Sequence, residues 1–323
     1  MKKAFPILFT LSAALLLGAC GGDDDNGNGD NGGSSDDPSF LSLLTGGTGG
    51  TYYPLGGAMA TIISEETGLQ TTAQSSNASA DNLAQLRDGE AEIGFTQTDV
   101  MSDAIEGINA FDEPIDNVSA LGALYPETIQ IVTTAGSGIE TVEDLEGRAV
   151  SVGAPGSGTY VNAEQILEIY GMTMDDIDEQ RLSFDESTSG LQDGNIDAAF
   201  ITAGTPTGAV SGLTATNDIA LVTMSPDKVD ELVEKYPFYA PITVEAGTYD
   251  GIDSAVDTVA VYAMIAVSNS LSEDLVYNMT KAIYERTDEI AHERSSSIQL
   301  ETSQEGIGFD LHPGAQRYFD EQE

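Results

Sequence analysis

The sequence predicts an α/β protein built as two similarly wound lobes, and three observations lead there. The segment Leu86-Arg87-Asp88-Gly89-Glu90-Ala91-Glu92-Ile93-Gly94-Phe95 recurs as Leu191-Gln192-Asp193-Gly194-Asn195-Ile196-Asp197-Ala198-Ala199-Phe200. Upstream of each copy lie an apolar strand, a glycine-rich loop and an amphipathic helix. Loop and segment repeat at nearly one spacing, since Gly49 to Gly156 is 107 residues and Gly89 to Gly194 is 105. In each segment a helix ends at Asp-Gly, where glycine supplies the left-handed C-cap, and a short buried strand follows. Units of this order wind into a mostly parallel sheet with helices on both faces.

Residues 1–19 run from Lys2 and Lys3 through the apolar stretch Ile7–Leu17 into Leu17-Gly18-Ala19-Cys20, the layout of a secretory signal. The leader resembles a bacterial lipobox, which makes Cys20 the expected lipidation site and the outer face of the cytoplasmic membrane, or the periplasm, the expected location. Cys20 is the single cysteine of 323 residues, so no intramolecular disulfide is expected. After Cys20, residues 21–37 are Gly, Asp, Asn and Ser and the stretch closes on Pro38, so 20–38 is an expected solvated tether. Asp24, Asn26, Asn28 and Gly29 match the first half of a calcium loop, but Ser35 stands where its bidentate Glu belongs, which favours the tether.

Beyond the tether come the strand Phe40–Leu44, the loop Thr45–Thr51 and a helix over Tyr53–Glu66, repeated as Ala149–Val152, Gly153–Thr159 and Tyr160–Tyr170. The long apolar runs Glu127–Thr134 and Thr258–Val267 suit two strands that cross between lobes. Lobe 1 is therefore expected over 39–134 plus 241–323, and lobe 2 over 135–240. Helices over Glu273–Ser295 and Ala315–Asp320 return to lobe 1, the second capped by His312-Pro313-Gly314.

Acidic residues number 54 against 11 basic, a formal charge of −43 that becomes −45 once Lys2 and Lys3 leave with the leader. That balance argues against nucleic acid as a partner. The acids are scattered while apolar content stays at 40%, so the charge belongs to the surface of a globular chain. Such a surface repels itself in dilute buffer, and the screening length falls to about 3 Å at 1 M salt, which points to a halophilic setting.

Ligands of open parallel sheets lie outside the carboxyl ends of the strands, where both glycine loops stand. Thr48, Gly49, Gly50, Thr51, Tyr52 and Tyr53 bring N–H and hydroxyl donors to a helix N-terminus, which favours an anion. Gly156, Ser157, Gly158 and Thr159 repeat the arrangement. Ser75, Ser76 and Asn77 open a further helix, as its cap or as ligand contacts. Gln97 follows one repeat strand, and Ala203 and Gly204 follow the other, toward the same cleft. Tyr125 is a candidate wall, and Glu127 a candidate partner for a ligand ammonium group or a surface residue. No Gly-Lys-Ser/Thr follows either loop and neither begins a complete G-x-G-x-x-G, so neither ATP nor NAD is expected, nor any other cofactor. One cysteine and two histidines out of ligand spacing do not make a metal site. Ser157 lacks the outer glycines of a nucleophile elbow, and His292 and His312 are distant in sequence, so an enzyme is the lesser alternative. Arg87 and Arg148 precede buried strands and read as surface residues.

Five ordered motifs carry a family resemblance: Thr48-Gly49-Gly50-Thr51-Tyr52-Tyr53-Pro54, Leu124-Tyr125-Pro126-Glu127, Val152-Gly153-Ala154-Pro155-Gly156-Ser157-Gly158-Thr159, Asp193-Gly194-Asn195-Ile196-Asp197-Ala198-Ala199-Phe200 and His312-Pro313-Gly314-Ala315. Together they resemble the TAXI-type solute-binding proteins that serve TRAP transporters, over nearly all of the mature chain. The resemblance implies a two-lobed periplasmic-binding-protein fold, type II-like, and closure around a small carboxylate such as glutamate, 2-oxoglutarate or a related dicarboxylate. It also implies a monomer that docks on a membrane permease driven by an ion gradient. A ligand-sensing receptor subunit is the other reading of the same pocket.

Overall fold

Residues 37–323 are described by a computed structural model of the chain. The leader, Cys20 and the calcium-like stretch lie outside the described residues. Asp37 already belongs to the folded part, because its carboxylate accepts from Ser272 N at 2.7 Å and Ser272 Oγ at 2.6 Å.

The first half of the chain runs β1 (Phe40–Leu44), α1 (Tyr52–Thr67), β2 (Gln70–Gln74), α2 (Ser79–Arg87), β3 (Ile93–Gln97), α3 (Thr98–Glu106) and β4 (Val118–Thr134). It continues through β5 (Ala149–Ser151), α4 (Gly158–Ile169), β6 (Asp178–Gln180), α5 (Phe184–Asp193), β7 (Ala198–Ala203), α6 (Gly208–Thr214), β8 (Ile219–Val222) and α7 (Pro226–Lys235). Then follow β9 (Ala240–Val244), β10 (Val256–Ser268), α8 (Glu273–Glu285) and α9 (Pro313–Asp320).

Alternation along the strands sorts the cores. In β1, Leu41 and Leu43 enter a core with α1, α8 and α9, while Leu44 joins one with α2 and α3. β10 does the same, with Ala263, Ile265 and Val267 on one face and Met264 and Ala266 on the other. A second pair of cores sandwiches β7, with Ala198 and Phe200 on one side and Ala199, Ile201 and Ala203 on the other. Each lobe is thus a sheet between two layers of helices, and its inner strands β1, β7 and β10 are largely apolar because both faces are covered, whereas the outer strands β2 and β6 are polar.

The hydrogen-bonded order is β2-β1-β3-β10-β4-β7-β5-β6, with β8 beside β4 and β9 beside β10. β1 pairs parallel with β2 and β3, and β5 pairs parallel with β6 and β7. The crossing strands β4 and β10 run antiparallel to their neighbours and belong to both lobes, so the two sheets are continuous through them. β4 pairs with β10 up to Thr128 and with β7 from Thr128 onward. Its register against β10 is interrupted twice, and Pro126, which has no N–H to give, stands near the changeover.

Both copies of the repeat end as the glycines require: Gly194 closes α5 at φ +71°, and Gly89 stands at φ +73° just past α2. α1 and α4 begin one and two residues earlier than expected, within ordinary boundary scatter. The helix expected to reach Ser295 stops at Glu285. Short 3₁₀ turns at Thr287–Glu289, Glu293–Ser297 and Leu300–Thr302 replace it, because Thr, Asp and Ser there compete with the helix for backbone hydrogen bonds. At the other end His312 caps α9 by accepting from Gly314 N at 3.2 Å, and a Cβ at Gly314 would strike the backbone of α8. No helix among the described residues is long and apolar enough to cross a membrane.

Candidate ligand-binding site

The strand ends deliver their loops to one cavity between the lobes, enclosing about 80 Å³. A single water needs roughly 10–15 Å³, so the space suits a compact metabolite and not a nucleotide or peptide. Four helices start at its wall: α1 with Thr51 and Tyr52, α2 with Ala78 and Ser79, α4 with Ser157, Gly158 and Thr159, and α5 with Ser183 and Phe184. No Lys, Arg or His lines it among the described residues. Attraction for an anion there would come from helix dipoles and from the first-turn N–H groups that the caps leave free, since Ala80 N and Asp81 N of α2, Tyr160 N of α4 and Glu186 N of α5 already have acceptors. Thr51 makes no capping hydrogen bond to α1, its Oγ1 donating instead to Gly204 O at 3.4 Å, so the Tyr52 and Tyr53 N–H groups stay available, while Pro54 has none.

Gly50, Thr51, Tyr52, Ser76, Asn77, Gln97, Glu127, Ser157, Gly158, Thr159 and Ala203 line the cavity. Ser76 also fixes the turn before α2, donating to Thr45 O at 3.1 Å and accepting from Ala78 N at 3.1 Å. That turn holds Ala78 at φ +71°, a left-handed conformation costly for a residue with a Cβ. Ser75 is outside the cavity, Tyr53 is 41% exposed, and Tyr125 is fully buried, where burial and the Glu127 carboxyl push its hydroxyl pKa well up.

Thr48, Gly49 and Gly156 are placed at the closure of the cleft instead of its lining. Gly156 O accepts from Ala80 N at 3.0 Å and Asp81 N at 3.1 Å, at the start of α2 in the facing lobe. Reciprocally, Gly49 O accepts from Ala209 N at 3.1 Å on α6, and Thr48 Oγ1 donates to Asp185 Oδ2 at 2.8 Å. Each glycine loop thus lends a carbonyl to a helix start across the cleft. Gly204 packs under Thr51 and the stem of Arg294, with no room for a Cβ.

Glu127 is 2% exposed, and burial pushes its carboxyl up to about 8 while hydrogen bonds from Tyr52 and Gln97 pull it back. Proton counting agrees. The Tyr52 hydroxyl lies 2.9 Å from Thr96 O and 2.7 Å from Glu127 Oε2. Its one proton cannot serve both, and the carbonyl can only accept, so both contacts are satisfied when Glu127 carries a proton. Gln97 Nε2 donates to Glu127 Oε2 at 3.2 Å. Beyond it, burial raises Asp99 to about 7.

Sequence reasoning missed Ser183 and Phe184 in the lining, and Arg294 behind it against Gly204. The Ser183–Glu186 capping box after a strand was a usable signal for the first two. Arg294 carries no such mark: it comes to Gly204 from a 3₁₀ turn, and its Nε is buried without a partner. Arg87 pairs with Asp88 at 2.8 Å and stays at the surface.

The sequence profile of the NMT1-like family matches residues 43–322. The chain belongs to the NMT1-like family. The fold of this NMT1-like protein is shared with the alkanesulfonate-binding protein SsuA from Xanthomonas axonopodis pv. citri bound to MOPS, at 16% identity, 88% of this chain, 84% of that chain and a TM-score of 0.52. It is also similar to PhnD1 from Prochlorococcus marinus in complex with methylphosphonate, at 10% identity, 82% and 90% coverage and a TM-score of 0.52. A putative L-cystine ABC transporter from Listeria monocytogenes matches at 13% identity, 82% and 98% coverage and a TM-score of 0.51. These likenesses make the NMT1-like chain a two-lobed periplasmic-binding-protein fold.

Proposed function

We propose that this NMT1-like protein is the extracytoplasmic solute-binding subunit of a membrane transporter and that it holds a small carboxylate between its lobes. The observation that carries the reading is the convergence of four helix N-termini on a cavity without a basic side chain. Anion binding there rests on N–H and hydroxyl donors, whose charge-assisted bonds are roughly twice as strong as neutral ones. Thr51, Tyr52, Ser76, Asn77, Gln97, Glu127, Ser157 and Thr159 are the proposed contacts. The sulfonate- and phosphonate-associated neighbours fit the same preference for an anionic head. Ser157 caps α4 by accepting from Tyr160 N at 3.2 Å and keeps its hydroxyl proton to give to a ligand.

A TRAP-type permease is the proposed partner, on the five motifs. The likeness to a putative ABC transporter favours the second reading, an ATP-driven permease. Lipidation at Cys20, a tether up to the Asp37 clamp and a monomeric state complete the proposal. Lobe 1 is taken as 39 to about Thr128 with the C-terminal part, and lobe 2 as about Ile129 to Ala260, beyond the limits of 134 and 240 read from sequence, because Ile129, Ile131, Val132, Val244, Tyr249, Ile252 and Val259 pack in the second pair of cores.

Calorimetric titration of the soluble domain in molar salt with glutamate, 2-oxoglutarate, succinate and neutral amino acids tests this. One anion should bind stoichiometrically and be recovered unchanged. Conversion of a compound, or binding of none of them, would overturn it.

A further inference from the structure

Gln97 lies across the first turn of α4, where Gly158 leaves space for it and Asn162, one turn on and on the same face, meets its amide. The orientation of that amide is set from behind. Asn162 is fully buried, and its Nδ2 donates to Asp99 Oδ2 at 2.9 Å and to the Tyr239 hydroxyl at 2.9 Å. Tyr239 passes its own proton to Gln165 Oε1 at 2.5 Å, so its oxygen is left to accept. Two acceptors on one side turn the Asn162 amide so that its Oδ1 faces Gln97 and accepts from Gln97 Nε2 at 3.4 Å. The same Nε2 faces Glu127 Oε2. Both Gln97 donors are thereby directed away from its Oε1, which is buried, bonded to nothing and part of a residue that lines the cavity.

We propose that the relay Asp99–Asn162–Gln97 makes this pocket select carboxylates that carry a hydrogen-bond donor, an amino or hydroxy group, over their oxo counterparts. The proposal rests on the small-carboxylate reading above and adds the group beside the carboxylate. A ligand N–H or O–H satisfies Gln97 Oε1, whereas an oxo oxygen leaves that acceptor buried and unpaired and sets two acceptors against each other. Asp99 and Gln97 stand on the lobe that carries β3 and α3, while Asn162 comes from α4 on the other, so the relay exists only when the cleft is closed. Asn162 is a positioning residue: it acts through Gln97.

The test is a calorimetric comparison, in molar salt, of two matched sets: L-alanine, L-lactate and pyruvate, and L-glutamate, 2-hydroxyglutarate and 2-oxoglutarate. Within the set that binds, the amino or hydroxy acid should bind about tenfold or more tighter than the oxo acid. Asn162→Ala should narrow that ratio by about threefold or more while the protein stays folded, and Asn162→Ser serves if the alanine variant does not fold. Overall weakening at a constant ratio is what a merely structural role gives, and it overturns the relay. Equal or tighter binding of the oxo acid overturns the proposal and leaves the solute-binding reading standing. Binding of none of the six overturns both.

Discussion

At the scale of single residues the unusual group is Glu127, an acid facing the cavity proposed to take an anion. Its burial resolves the conflict, because a neutral carboxyl neither repels an anion nor needs a counter-ion. With Glu127 raised to about 8 and Asp99 to about 7, the folded protein keeps protons that the unfolded chain releases near pH 4. Stability is then fullest at low pH and falls as pH rises through 7 to 8. The melting temperature in molar salt should drop between about pH 5 and 8.5, and Glu127→Gln should flatten part of the drop. A flat wild-type profile would contradict the neutral carboxyl. Glu127 was visible in the sequence as an oddity, but its partners were not. Tyr52 lies 75 residues away and Gln97 30, and no local rule links them.

Among elements, the helix starts were legible and their contacts were not. Gly-rich loops announce helix N-termini locally, so Thr51, Ser157 and Thr159 could be named from sequence. Whether a loop carbonyl turns to ligand or to the opposite lobe depends on the approach of a second surface, which is why Gly49 and Gly156 occupy the closure contacts. α1 shows how finely such contacts discriminate. A methyl at Gly56 would overlap Thr45, whereas Gly57, one position on, is exposed with nothing within 4 Å. Gly57→Ala should therefore raise stability by about 0.5–1 kcal/mol, read by denaturant unfolding, because it removes backbone freedom from the unfolded chain. Gly56→Ala should lower it. In α4 a methyl at Gly158 would overlap the Gln97 amide, so Gly158→Ala should weaken ligand binding by about tenfold, with Gly212→Ala, in open space, as the neutral control.

For the molecule as a whole, the two-lobed α/β plan followed from the internal repeat, and the continuity of the sheet did not. The crossings were assigned to Glu127–Thr134 and Thr258–Val267, but β4 starts at Val118 and runs 17 residues, because its first half is itself a core strand of lobe 1. The charge also acts at this scale. Asp99, Asp103 and Glu127 are the buried acids among the described residues, so most of the acidic surplus faces solvent. Dialysis from about 1 M salt to dilute buffer should reduce far-ultraviolet ellipticity and increase the radius of gyration as screening weakens. Unchanged dimensions would count against the halophilic setting.

The crossing strands also decide what kind of motion can open the cleft. A pair of lobes joined by loops swings as on a pin, with little resistance until something collides. Here the connection is two unbroken ribbons, β4 and β10, bonded to each other from Val118 to Thr128 and weakened only at the register breaks and Pro126. Such a joint behaves as a leaf spring: displacement is resisted from the outset, bending gathers at the notches, and the halves return to the same alignment. Each opening and closing of the cleft is then an elastic stroke about a fixed rest position.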